Sequence, residues 1–185
     1  MIGFNRRFDP SIAGARDRVA AGEIGRLEQL VITSRDPAPA PAANLIEPYI
    51  AEAGDVDSAM VLLRGAGGEL GQIVSSRRCS FGYDQRVEAF GAAATLSVGN
   101  QTATSVRHYG ASGTETAPPY LNFFLERYAP AYRAELDHLV RCVEQGQAPS
   151  PGFADGRAAL VLADAATESI RTGRVVRVSG RPGAG

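Results

Sequence analysis

The residues with the strongest claim to chemistry fall in two short segments. Arg77-Arg78-Cys79-Ser80-Phe81-Gly82-Tyr83-Asp84-Gln85-Arg86 gathers arginine, tyrosine, aspartate and glutamine between two strand-like runs. Thr33-Ser34-Arg35-Asp36 is a similar polar end to an apolar run. Guanidinium, phenol, carboxylate and amide groups in that mixture can hydrogen-bond a polyol. Composition alone equally allows a polar loop with one aromatic anchor. Other chemistries find less support. His138 and Cys142 are four apart on a predicted helix and share a face, but two ligands do not close a zinc site. His108 has no sequence-near partner, and there is no G-x-S-x-G elbow to present a nucleophile. Asp55-Val56-Asp57 straddles a strand start, so its two carboxylates point to opposite faces and read as a solvated strand end. Gly65-Ala66-Gly67-Gly68-Glu69-Leu70-Gly71 has the wrong spacing for a dinucleotide fingerprint and lies between two strands, so it reads as a hairpin turn.

The charge inventory narrows the field further. All 19 basic side chains are arginine, and there is no lysine among the 185 residues. Schiff-base, general-acid and phosphate-loop lysines are therefore excluded from this chain. Arginine keeps its proton, so these cations can clamp but cannot shuttle protons. A net charge of −1 gives no footprint for nucleic acid or an anionic membrane. Two cysteines make no disulfide framework, the first residues do not form a signal peptide, and no apolar run is long enough to span a bilayer. A cytoplasmic setting is the expectation.

The elements that must position these residues follow from pattern. Met1–Phe8 reads as the end of a strand. Asp9-Pro10 reads as the N-cap and first position of a helix that Gly22 and Gly25 stop. Strands are predicted over 27–34, 56–64, 69–79, 86–90, 94–98 and 104–109, with a hairpin turn at Gly65–Gly68. Residues 36–54 carry a proline-alanine tract. One apolar stripe from Leu121 to Val143 predicts a helix that Pro130 kinks or divides. A second helix spans 153–172 with a Gly173 stop, and Arg174–Val178 is predicted as a last strand. The sum is α+β: an open, mostly antiparallel sheet with helices on one face. Its other face, left apolar, would be expected to pair with a second subunit. Residues 1–179 read as one domain, and 180–185 as a disordered tail.

Several segments resemble the C-terminal half of bacterial inositol 2-dehydrogenases, members of the Gfo/Idh/MocA oxidoreductases. They are Gly3-Phe4-Asn5-Arg6-Arg7-Phe8-Asp9-Pro10, Ile32-Thr33-Ser34-Arg35-Asp36-Pro37, Ala53-Gly54-Asp55-Val56-Asp57, Ser76-Arg77-Arg78 and Tyr83-Asp84-Gln85-Arg86-Val87-Glu88. Phe123–Tyr128 with Ala131-Tyr132, and Asp155-Gly156-Arg157 through Ser169–Arg174, match in order. The resemblance implies a dihydrodipicolinate-reductase-like C-terminal domain, built on an open mixed sheet that contacts substrate and forms the oligomer interface. It implies an NAD-binding Rossmann domain elsewhere. It also implies hydride transfer aided by a Glu-Lys-Pro lysine and an Asp-x-x-x-His pair. Neither catalytic element occurs here: Thr104 stands four before His108, and Ala134 four before His138. The chain is thus expected to be a truncated inositol 2-dehydrogenase-like protein, shortened internally near 37–54 and inactive alone. No catalytic, cofactor-binding or metal residues are assigned. Tyr83, Asp84, Arg35 and Asp36 are carried over as substrate contacts of weak affinity. A homo-oligomer through the open sheet face is the expected association, and a subunit completed by a separate Rossmann partner is one alternative. A non-catalytic scaffold module is the other alternative.

Overall fold

The computed structural model describes residues 1–37 and 56–178. Asp36 and Pro37 of the predicted proline-alanine tract extend the first strand, while its remaining residues, the Ala53–Asp55 motif residues and the 180–185 tail lie outside the described residues. The chain divides into two compact units, Asp9–Pro130 and Met1–Phe8 with Ala131–Gly185.

The first unit opens with helix α1, Pro10–Ala20. The Asp9 carboxylate accepts from the backbone N–H groups of Ser11 and Ile12, at 3.1 and 3.0 Å, and Pro10 occupies a position that needs no donor. Five strands follow: β1 Leu27–Pro37, β2 Ser58–Arg64, β3 Leu70–Cys79, β4 Asp84–Gly91 and β5 Thr95–Val98. They form a mixed sheet in the order β2-β3-β1-β4-β5. Only β1 and β3 run parallel. That is possible because the chain leaves β1 and returns through β2 before pairing β3 with it, while the glycine-rich turn closes the β2–β3 hairpin.

Register sorts the side chains onto two faces. One face carries Leu30, Ala89 and Leu96, which pack with Ile24, Val19 and Leu27 into the core of this unit. The opposite face carries Met60, Leu62, Leu70 and Phe90, which are 64, 75, 55 and 40% exposed.

Beyond the sheet lie a small hairpin, β6 His108–Gly110 with β7 Gly113–Thr116, and a one-turn helix α2, Phe124–Arg127. The strand predicted over 104–109 is therefore mostly absent. Its carbonyls are taken locally: the Thr102 hydroxyl donates to Thr104, and the Arg107 guanidinium donates to Ser105 and Val106.

The second unit contains most of helix α3, Ala129–Glu144, and all of α4, Phe153–Thr172. Pro130 sits in the first turn of α3, where it divides the apolar stripe into two helices. Gly173 ends α4 with φ of 63°, as the stop signal requires. Asn5–Phe8 forms a 3₁₀ turn, not a strand end, closed by Arg7 N–H to the Phe4 carbonyl at 2.9 Å. Its neighbours are helical: Arg7 pairs with Asp155 at 3.3 Å, and Phe8 stacks on His138. No strand forms over 174–178. The Ser169 hydroxyl holds the Arg174 carbonyl at 2.7 Å, and Val175 is almost fully exposed.

Candidate functional site

Asp84 opens β4 directly opposite Arg35 of β1, and the antiparallel register brings the two together. The carboxylate is fully buried. Arg35 Nη1 lies 3.1 Å from Oδ2, Arg86 donates Nε to Oδ1 at 2.7 Å and Nη2 to Oδ2 at 3.0 Å, and Asn100 Nδ2 donates to Oδ1 at 2.6 Å. Burial alone would push the Asp84 carboxyl upward. The hydrogen bonds from Arg86 and Asn100, with the charges of Arg86 and Arg35, outweigh it and hold the carboxyl below the usual range. Asp84 is therefore an ionised, saturated anchor and not a proton acceptor.

The outward groups are the two guanidiniums, with one third of the Arg35 side chain and half of the Arg86 side chain exposed. One carboxylate against two guanidiniums leaves a net positive lip of fixed N–H donors. Such a lip can donate hydrogen bonds to hydroxyl or anionic oxygens. It cannot carry a proton.

On the other sheet face the next pair, Ser34 and Gln85, is joined by a hydroxyl-to-carbonyl hydrogen bond of 3.1 Å. Gln85 Nε2 is buried with no hydrogen-bond partner. The Gln85 backbone N–H donates to the Asn100 side-chain oxygen at 2.6 Å, so Asn100 clamps both residues.

Tyr83 is buried, its ring edge-on to Tyr128 at 5.8 Å, and its N–H donates to the Leu121 carbonyl at 3.0 Å. Gly82 makes this possible: its φ is +113°, and a Cβ there would meet the Tyr120 carbonyl oxygen at 2.8 Å. Asp36 is exposed beside a β-bulge in β1. The fold thus brings Arg35 and Asp84 into contact, sets Tyr83 next to them in the chain but inside the core, and leaves Asp36 in solvent.

Two features escape the sequence reading. Asn100 reads as a turn former, and nothing local marks it as the clamp of a residue 16 positions earlier. Asp9 reads correctly as a cap, but its second oxygen accepts from Arg127, and both partners are buried. Arg127 also lies over the Tyr128 ring, 4.9 Å from its centroid, while its Nε and Nη2 have no hydrogen-bond partner. His138 and Cys142 are in contact: Sγ is 3.5 Å from Nε2, which also takes the Ser150 N–H at 3.2 Å.

The residues described do not fit a dinucleotide. The glycine run at 65–68 is a turn between antiparallel strands, not a strand-to-helix loop. The start of α1 is already capped by the Asp9 carboxylate and that of α4 by Asp155, which accepts the Gly152 N–H at 2.9 Å, so backbone donors that a phosphate would need are already taken. Among these residues no helix is long and apolar enough to cross a membrane.

Known proteins supply the context. The model of the oxidoreductase family's C-terminal alpha/beta domain matches residues 19–178. A solved myo-inositol dehydrogenase from Corynebacterium glutamicum is 45% identical with a TM-score of 0.88, over 97% of this chain and 65% of its own. The inositol 2-dehydrogenase of Rhizobium meliloti is 35% identical over 215 residues, which is 97% of this chain and 65% of the relative. The NAD(+) scyllo-inositol 2-dehydrogenase of Bacillus subtilis is 28% identical, over 96% of this chain and 62% of the relative. The chain thus spans somewhat under two thirds of these relatives. The 215 aligned positions of the Rhizobium protein exceed the 185 residues here, so at least 30 of them have no counterpart. Matched over most of its length in both sequence and fold, this chain belongs to the Gfo/Idh/MocA oxidoreductase family and carries its C-terminal alpha/beta domain.

Proposed function

We propose that this chain is the substrate-side and assembly domain of an NAD-dependent inositol dehydrogenase, working in the cytoplasm, and that it does not transfer hydride alone. One observation carries the reading: a chain that matches inositol dehydrogenases over 97% of its length contains neither a lysine nor an Asp-x-x-x-His pair. Hydride transfer from a carbinol needs a base for the hydroxyl proton, and the guanidinium-rich lip at Arg35 and Arg86 offers none. Its role is recognition. Arg35 and Asp36 present polar atoms outward to the polyol, Asp84 sets Arg35 in place, and Tyr83 backs the start of β4 from the core. NAD, when bound, accepts the hydride; the residues that hold it and the lysine belong to a Rossmann domain outside these 185 residues. The unmatched positions of the relatives support an internal shortening of one domain, residues 1–179, near 37–54.

The exposed row of Met60, Leu62, Leu70 and Phe90 favours association of like chains through the open sheet face. The test of the main reading is direct. Purified chain mixed with NAD and myo- or scyllo-inositol is expected to give no absorbance rise at the NADH band. Turnover by the chain alone would overturn the proposal.

A further inference from the structure

Among the described residues the sheet ends on one side at β2, whose seven residues pair only with β3. This edge lacks the usual protections. It contains no proline, its charge is confined to the terminal Arg64, its pairing with β3 runs from Ser58 to Arg64 without a bulge, and Met60 and Leu62 are largely exposed. Such an edge is a template for another strand.

We propose that it pairs with the β2 edge of a second copy of this chain, making one continuous ten-stranded sheet. Symmetry selects the register. A two-fold axis that joins identical strands in antiparallel fashion must stand perpendicular to the sheet, so each face continues into the same face of its mate. Facing residues must then have like parity in the pleat. Centring on Val61 pairs all seven residues: Ser58 with Arg64, Ala59 with Leu63, Met60 with Leu62, and Val61 with itself. Every facing pair on the core side is then aliphatic, Met60 and Leu62 interlock on the open side, and each Arg64 meets a serine instead of another cation. Centring on Met60 or Leu62 shortens the ladder to five residues.

The contact is separate from face-to-face association, because Val61 points away from the face that carries Met60 and Leu62. A seven-residue ladder is small beside the roughly 1,200–2,000 Å² of a stable interface, so the dimer forms at high protein concentration.

Cysteine cross-linking on the full 185-residue chain tests the register. Under mild oxidation at high concentration, Val61→Cys is expected to trap a disulfide dimer at least tenfold more than unsubstituted chain or Ser58→Cys alone. Ser58 and its own mate lie about 20 Å apart along the paired strands. Ser58→Cys mixed with Arg64→Cys is expected to yield the heterodimer. Circular dichroism establishes that each variant is folded. For protein with native spectra, failure of both Val61→Cys and the mixed pair to cross-link would overturn the edge dimer, whether light scattering shows a monomer or a dimer joined through the sheet face.

Discussion

At the scale of single residues, Asp84 organises the candidate site because it is saturated. Removing its charge leaves Arg35 and Arg86 facing one another, half-solvated and unpaired. Asp84→Asn is expected to cost about 1–3 kcal/mol in urea unfolding at neutral pH. The pH dependence has a definite sign. A carboxyl held below its usual range contributes stability fully above its unfolded pKa of about 3.9 and loses it as pH falls through the folded value. The gap between wild type and Asp84→Asn should therefore be constant from pH 7 down to about 5 and narrow below about 4. Saturation-transfer NMR with inositol separates contact from support. Arg35→Ala should abolish the weak signal and Tyr83→Ala reduce it severalfold, whereas an unchanged Tyr83→Ala signal would remove that residue from the site. The pairing of Arg35 with Asp84 follows once the β1–β4 register is known. The burial of Tyr83 does not, because an aromatic beside polar groups reads the same whether it faces solvent or core.

Individual elements were legible where their signals are local. The Asp9-Pro10 start of α1, the Gly65–Gly68 hairpin and the Gly173 stop each depend on residues within a few positions, and each lies where the sequence places it. Errors arose where side chains compete with strand hydrogen bonding, at Thr102 and Arg107 and again at Ser169. Long-range pairing left no trace, and the bond from Arg127 to the α1 cap is the sharpest case. It ties α2 to α1 inside one unit. Asp9→Asn, which keeps the cap but removes the charge, is expected to cost about 3–5 kcal/mol because it strands a buried guanidinium. Asp9→Ala should add about 1 kcal/mol for the lost cap. Combining Asp9→Asn with Arg127→Met should recover most of the first loss in urea melts, since a buried pair is often replaceable by apolar groups of similar size. A double variant as unstable as the sum of the singles would contradict this account.

For the whole molecule, the sheet has one face that closes its core and one that does not. Light scattering should resolve the outcome: Phe90→Glu, on the open face but away from the β2 edge, is expected to lower the mass with the far-ultraviolet spectrum unchanged. A mass that stays the same would count against association through that face.

The strand order also sets a schedule. β1 is the central strand, yet both of its partners are made after it. β3 is complete only about 40 residues later, and β4 later still. At about 5–20 residues per second, the ribosome leaves the run Leu27–Ser34 without partners for several seconds. The central strand of the sheet is thus the one that waits longest. A nascent chain halted anywhere in that interval should be a strong client for holdase chaperones, and one released after Gly91 should not.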